Sequence, residues 1–283
     1  MTIAVTGATG HLGRLVVESL LEKVPAAEVV AVVRDRSKAQ DLADRGVDVR
    51  VASYDDRTAL DAALAGVDRL LLVSGNEFGR RTEQHRNVIE AAAAQGVQLL
   101  AYTSAPAVET STLPVAPDHL ATEQILAASG LRHVLLRNGW YHENYLTALD
   151  AARQTGSVLT SAGEGKVSSA ARADFAEAAA VVLTTDQPLE RVYELGGDVA
   201  WTQAELASTL SDLLGTTVSV AEVDPDVQAK ILAEAGVPPM WVDFTVATDA
   251  SISRGELEVT GGALSALIGR PTVPLTDSLR SAL

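Results

Sequence analysis

Residues 3–20 constrain this chain more than any other stretch. Ile3, Ala4 and Val5 form a short apolar run, and glycines then fall three apart at Gly7, Gly10 and Gly13. Leu12, Leu15, Val16 and Leu20 follow at i, i+3, i+4 and i+8, the apolar face of a helix. Strand, tight turn and helix in this order make a seat for the pyrophosphate of a dinucleotide. The first glycine permits the turn, the second lets backbone amides approach the phosphates, and the third lets the helix pack on the strand. The helix start then faces the negative charge. The spacing is GxxGxxG rather than GxGxxG, and such a turn can also exist for its backbone angles alone. The rest of the chain must decide.

Val29 to Val33 is a continuous apolar run of the kind found in a parallel strand buried on both faces. Further strands are expected over 47–52, 67–73, 97–104 and 131–136, with helices over 39–45, 57–65, 79–94 and 118–126 between them. Unbroken alternation predicts an α/β, Rossmann-type doubly wound parallel sheet over residues 1–150. Beyond about residue 150 the pattern loosens. A helix is expected over 173–184, a short strand over 193–195 and a strand over 218–220. Thr202 with Glu205 reads as a capped helix start, and helices are expected over 226–235 and 240–250. Residues 151–283 therefore read as a smaller α+β substrate lobe, with the helix around 172–184 packing back on the first domain.

Ligands of such sheets sit beyond the carboxyl ends of the strands. The first residue past the second strand is Arg34, followed by Asp35, Arg36 and Lys38. A carboxylate there reads the ribose hydroxyl of NAD, whereas an arginine accommodates a 2′-phosphate. Arg34 and Lys38 therefore predict NADPH, with NADH bound more weakly. A solvated basic turn, or Asp35 on a ribose hydroxyl, is the competing reading. Ser53, Tyr54 and Asp55 fall beside the expected adenine, while Asp56 reads as a helix cap. Ser74, Gly75 and Asn76 close the fourth strand, and Gln84 and His85 in the next helix are candidates for touching substrate. The sixth strand runs into Arg137-Asn138-Gly139-Trp140-Tyr141-His142-Glu143-Asn144-Tyr145. Aromatic rings and asparagines around a glycine suit the holding of a flat ring, although Trp140 competes as a core residue.

Composition removes several alternatives. The net charge of −15 and the absence of any Lys/Arg cluster argue against nucleic acid as a partner. There is no cysteine, so disulfides, thiolate nucleophiles and cysteine metal sites are excluded, and no metal is expected. No basic leader precedes the first strand, and no apolar run approaches the ~18 residues of a membrane helix. A cytoplasmic location without membrane association is the expectation.

Carbonyl-reducing enzymes of this fold commonly pair a tyrosine with a lysine four residues later, the lysine lowering the phenol pKa for proton transfer. Here the residues four after Tyr54, Tyr102, Tyr141, Tyr145 and Tyr193 are Thr58, Pro106, Tyr145, Leu149 and Gly197. The dyad is absent. The motifs TGATGHLG at 6–13, VVRDRSKA at 32–39, AGVDRLLLVSG at 65–75 and QHRNVIEAA at 84–92 carry a family likeness. AYTS at 101–104, HLATEQILAASG at 119–130, LRNGWYHENYL at 136–146 and LIGRPT at 267–272 extend it almost from end to end. The chain resembles the NmrA-like branch of the atypical short-chain dehydrogenases/reductases. Within that branch it looks like the NAD(P)H:quinone oxidoreductase type 2 family and the related triphenylmethane reductases.

That resemblance implies a two-lobed protein, a homodimer in the manner of its family, that binds NADPH and passes hydride to a quinone without a flavin. Related reductases often carry a lysine four residues before the glutamate matching Glu123; His119 stands there in this chain. Turn, strand ends and resemblance together give a cofactor-binding set. It comprises Thr6, Gly7, Thr9, Gly10, His11, Leu12, Gly13, Arg34, Lys38, Tyr54, Val73, Ser74, Gly75, Thr103, Asn138, Gly139, Trp140 and Tyr141. Asn138, Tyr141 and His119 are the catalytic candidates, none of them an obligatory acid or base. Gln84, His85, Tyr141 and Asn144 are the substrate candidates. Reduction of a triarylmethane dye or similar flat, electron-poor molecule is the first alternative. A redox-sensing regulator that binds dinucleotide without turnover is the second.

Overall fold

The computed structural model describes residues 1–283, and its first half alternates strand and helix as the apolar pattern requires. β1 (Ile3–Thr6), α1 (His11–Leu21), β2 (Val29–Val33), α2 (Gln40–Asp44), β3 (Asp48–Val51) and α3 (Arg57–Ala63) come first. β4 (Arg69–Leu72), α4 (Arg81–Ala94), β5 (Leu99–Ser104), α5 (Ala116–Ala128) and β6 (His133–Asn138) follow. β1 and β2 are buried at every position because helices cover both faces of the sheet. Asp56 caps α3, its carboxylate accepting from the Ala59 amide at 2.9 Å. α5 starts two residues earlier than the sequence pattern suggested, because Pro117 is accommodated in its first turn.

The second half contains α6 (Leu146–Thr155), β7 (Ser157–Thr160), β8 (Lys166–Val167), α7 (Arg172–Thr184) and β9 (Val192–Leu195). It continues with β10 (Trp201–Thr202), α8 (Gln203–Leu214), β11 (Ser219–Glu222), α9 (Pro225–Glu234), α10 (Pro239–Ser253), α11 (Ala263–Ile268) and α12 (Leu275–Arg280). The main sheet has the order β3-β2-β1-β4-β5-β6-β9, with every pairing parallel. β9 thus returns to the first sheet, and α7 packs against α1 on the same face, with Phe175, Ala179 and Leu183 joining Val16 and Leu20 in one core. β9 and α7, both beyond residue 150, thus belong with the first sheet. On the opposite face, α3, α4 and α5 bury Leu60, Val88, Ile89 and Leu126 against β4 and β5.

A third core around Trp201, Leu206, Leu210, Val218 and Ile252 belongs to the later elements. α8 opens with the capping box read from the sequence: Thr202 accepts from the Glu205 amide, and the Glu205 carboxylate accepts from the Thr202 amide at 2.8 Å. β7 pairs only with β11, so its four residues carried too little pattern to be seen in advance. The strand order reverses between β1 and β4. That is the switch point at which doubly wound sheets open a crevice for a ligand.

Candidate active site

One cavity of about 470 Å³ occupies that crevice, within the size range of small-molecule and cofactor sites. Its floor is the glycine turn. Gly7 has φ +60°, in the left-handed region, and a Cβ on Gly13 would lie 2.3 Å from the Gly7 carbonyl oxygen. Only glycine lets α1 approach β1 this closely. α1 has no side-chain cap and no acidic residue in its first turn, so its leading amides and its positive end are left for an anion. Gly7, Thr9, Gly10, His11, Leu12 and Gly13 all line the cavity. Thr6 does not. It is buried behind the wall, where its hydroxyl donates to the Leu71 carbonyl at 3.1 Å and accepts from the Val73 amide at 3.1 Å. The Tyr54 hydroxyl lies 2.6 Å from the same oxygen and 2.8 Å from the Val73 carbonyl, fastening β1 to β4 at the switch point. Burial pushes the Tyr54 phenol pKa well above its ordinary value, so it stays protonated.

At the adenosine end only one of the three nearby cations faces the cavity. Arg34 lines it and donates from Nη1 to Glu77 Oε1 at 3.2 Å. Lys38 lies in the turn after β2, outside the lining, and Arg36 is turned away to donate to the Val49 carbonyl at 2.7 Å. Asp35 is occupied too. It caps that turn, accepting from the Ser37 amide at 2.9 Å and the Ser37 hydroxyl at 2.7 Å.

The loop after β4 is held from behind. The Ser74 amide donates to Thr103 Oγ1 at 2.8 Å, the Gly75 amide to His85 Nε2 at 2.9 Å, and Arg81 Nε to the Gly75 carbonyl at 2.6 Å. The Thr122 hydroxyl donates to the Asp118 carbonyl at 2.8 Å, so the 2.9 Å contact between His85 Nδ1 and Thr122 Oγ1 puts the histidine proton on Nδ1. Burial first, and the Arg81 cation second, lower the His85 pKa to about 3. His85 is therefore a neutral, fully buried support for Gly75, outside the cavity, and not the substrate contact expected of it. Gln84 does reach the lining, where its side-chain amide donates to Glu77 and Asp55.

Asn138, Gly139, Trp140, Tyr141 and Asn144 line the far end together with His119 and Arg172. Gly139 is obligatory there, since a Cβ would stand 2.8 Å from the Leu195 carbonyl oxygen. Asn138 Nδ2 donates to the Tyr141 hydroxyl at 3.4 Å, while Asn138 Oδ1 is buried with no hydrogen-bond partner in the protein. An orphaned acceptor in a cavity wall calls for a donor, which a ligand or an ordered water can supply. A nicotinamide carboxamide carries such a donor, so this atom fits NAD(P)H. The Arg172 guanidinium lies 5.0 Å from the Tyr141 ring centroid, at the start of α7, and donates to Asn144 Oδ1 at 3.4 Å. His119 Nδ1 is 2.7 Å from the Tyr102 hydroxyl. Burial, then Arg81 and His85, lower the His119 pKa to about 3. Burial raises the phenol pKa of Tyr141. Neither His119 nor Tyr141 changes charge near neutral pH.

A loop over 105–115 covers this end with Ala105, Pro106, Leu113 and Val115. Arg137 ties it down. Its guanidinium donates to Glu123 at 2.6 and 3.0 Å, to Glu194 at 2.9 Å and to Glu109 on the loop at 2.5 Å. From the other side Glu256 accepts from the Thr112 amide at 2.7 Å and from its hydroxyl at 2.8 Å. Sequence reasoning passed over this strap, over Arg172, and over the aromatic residues Phe78, Trp241 and Phe244 at the mouth. The lone charge of Arg137 at the end of the apolar run 134–136 signalled the first; nothing local signalled the others.

A family model described as NAD(P)H-binding matches residues 7–186. The chain belongs to that NAD(P)H-binding family. Quinone oxidoreductase 2 of Escherichia coli is 47% identical over 277 residues, spanning 98% of this chain and 97% of that protein. The crystal structure of the NADPH-dependent quinone oxidoreductase from E. coli complexed with NADPH superposes with a TM-score of 0.96 at 46% identity, covering 99% of each chain. Triphenylmethane reductase of Citrobacter sp. complexed with NADP(H) gives a TM-score of 0.95 at 40% identity, covering 100% of each chain. The motifs from TGATGHLG to LIGRPT thus point to the branch in which the relatives are found.

Proposed function

We propose that this chain is an NADPH-dependent oxidoreductase that delivers hydride directly to a quinone, without a flavin. One observation carries the reading. A single cavity joins an uncapped, acid-free helix start and Arg34 at one end to an aromatic end without a group that titrates near pH 7. When bound, NADPH supplies two electrons and a proton as hydride. The α1 amides and the glycine turn would hold the pyrophosphate, Arg34 would take the 2′-phosphate in exchange for Glu77, and Asn138 Oδ1 would accept from the carboxamide. Trp140 and Tyr141 hold the acceptor ring. A quinone receiving hydride becomes a hydroquinone anion, stable enough to take its second proton from water, so no protein acid is required. Placing the two rings ~3–3.5 Å apart supplies most of the acceleration such a site needs. Residues 1–150 with α7 and β9 serve the cofactor, and the remainder of 151–283 shapes the acceptor end.

Stopped-flow oxidation of NADPH by flavin-free protein, with and without a small quinone, tests the reading. The expected result is oxidation that depends on both protein and quinone. Absence of acceleration by any quinone or dye would favour a dinucleotide-binding regulator instead.

A further inference from the structure

Phe78 and Trp241 are the only aromatic side chains among the large apolar groups that this chain leaves exposed, at 40% and 46%. They come from the β4–α4 loop and from α10, yet they meet. Phe244, one turn along α10 from Trp241, lies 5.6 Å from the Trp241 ring and 6.2 Å from the Phe78 ring, edge-on to both. Phe244 also stands nearly parallel to Trp140, with ring centroids 6.5 Å apart and planes 19° apart. Trp140 itself lines the cavity. The four rings therefore form one chain of contacts that starts at Trp140 in the cavity wall and runs outward beyond the lining. Arg81, 5.1 Å from the Phe78 centroid, steadies the near side. Contiguous exposed rings, unlike singly scattered surface residues, mark ligand grooves or contact faces.

We propose that these rings are an outer acceptor subsite, which selects planar acceptors with a second fused ring or an aryl substituent over single-ring quinones. The inference rests on the quinone-reductase reading and names its substrate class. The reduced ring sits at Trp140 and Tyr141, and the remaining rings of the acceptor lie against Phe244, Trp241 and Phe78. Continuity with the cavity through Trp140 is what commits the patch to a small-molecule occupant. Aromatic faces recognise flat rings by stacking and edge contacts, without hydrogen bonds. A single-ring quinone would fill only the inner half and leave the outer rings in water. The subsite tolerates chemical variety because it reads shape and apolar area rather than a particular substituent.

The test compares 1,4-benzoquinone with 2-methyl-1,4-naphthoquinone in wild type, Trp241→Ala and Phe244→Leu. The expected result is that each substitution raises the naphthoquinone-to-benzoquinone ratio of KM by about ten-fold, with smaller changes in kcat. An unchanged ratio, including equal losses for both quinones, overturns the proposal. Equilibrium dialysis with anthraquinone-2-sulfonate gives a second readout that needs no turnover, and its Kd is expected to rise by about ten-fold in both variants. If wild type turns over no quinone while these Kd values still rise, the subsite stands and the reductase reading falls. If turnover occurs and neither ratio nor Kd moves, the subsite falls alone. A dimer that Trp241→Ala converts to monomer, with the KM ratio intact, would give the patch to a second copy of the chain and overturn the proposal.

Discussion

At the cofactor end, the turn at Gly7–Gly13, Arg34, Tyr54 and the Ser74–Gly75 loop all follow directly on a strand of the first sheet. The acceptor end draws Phe78, Trp140, Trp241 and Phe244 from three distant segments, and a strapped loop over 105–115 adds to its lining. The first end is made by backbone geometry: a left-handed glycine, a close helix approach and free amides. The second is made by side chains that converge only once the whole chain has folded. Backbone sites tolerate little change, because the ligand is held by atoms every residue carries. Side-chain sites can be re-shaped one ring at a time.

The comparison can be broken most severely at Gly13. Gly13→Ala would place a methyl 2.3 Å from the Gly7 carbonyl oxygen, with backbone rather than a flexible side chain in the way. The expected outcome is about 1–3 kcal/mol lost in urea unfolding, as for overpacked cores, together with loss of detectable NADPH binding. Full binding at unchanged stability would mean that the turn does not seat the cofactor. Arg34→Ala is expected to remove the preference for NADPH over NADH. A lost charge-assisted contact is worth about 1.5–3 kcal/mol, or roughly ten- to a hundred-fold in the NADPH Kd, with NADH little changed. An unchanged ratio of the two dissociation constants would return Arg34 to a solvated basic turn. Glu77→Gln should act in the opposite direction and more weakly. It frees Arg34 from an exposed pair of about 0–1 kcal/mol, so calorimetric titration should show NADPH binding tightened by a few-fold at most.

The pH dependence separates the two ends from the scaffold between them. His85 and His119 titrate at about 3 and His142 at about 4 in the folded protein, each lowered chiefly by burial from 6.5. Between about pH 4 and 6.5 these groups bind protons in the unfolded chain and not in the folded one. Stability therefore falls as pH drops through that window. Thermal melts from pH 7.5 to 5 should show a declining midpoint, shallower in His119→Asn. Quinone turnover at saturating NADPH should meanwhile stay flat across about pH 6–8, because no group at the acceptor end changes charge there. A midpoint rising toward acid would contradict the buried, neutral histidines.

Much of the fold was legible because a parallel sheet covered on both faces leaves long apolar strands such as Val29–Val33 in the sequence. The glycine turn and Arg34 were legible for a related reason: their roles depend on residues adjacent in the chain. β9 was harder, since Val192–Leu195 is short and half-exposed on one side, and nothing local says that it returns to the first sheet. His85 misled because a histidine near a strand end looks the same whether it faces a ligand or holds a loop; the Thr122 and Gly75 contacts decide, and both are tertiary. Lys38 misled in the same way, because charge was readable and direction was not. Phe78, Trp241 and Phe244 carried no motif. Only the tertiary contacts of Phe244 on α10 with Phe78 and Trp140 reveal them.

The central claim is direct transfer from one end of a single cavity to the other. The most direct test is a single turnover of flavin-free protein with NADPH deuterated at C4 of the nicotinamide, followed at the loss of reduced-cofactor absorbance on mixing with 2-methyl-1,4-naphthoquinone. The account predicts one NADPH consumed per quinone reduced, with a primary isotope effect on the transferred hydrogen. NADPH loss that requires added flavin, or no loss on mixing with any quinone, would contradict it.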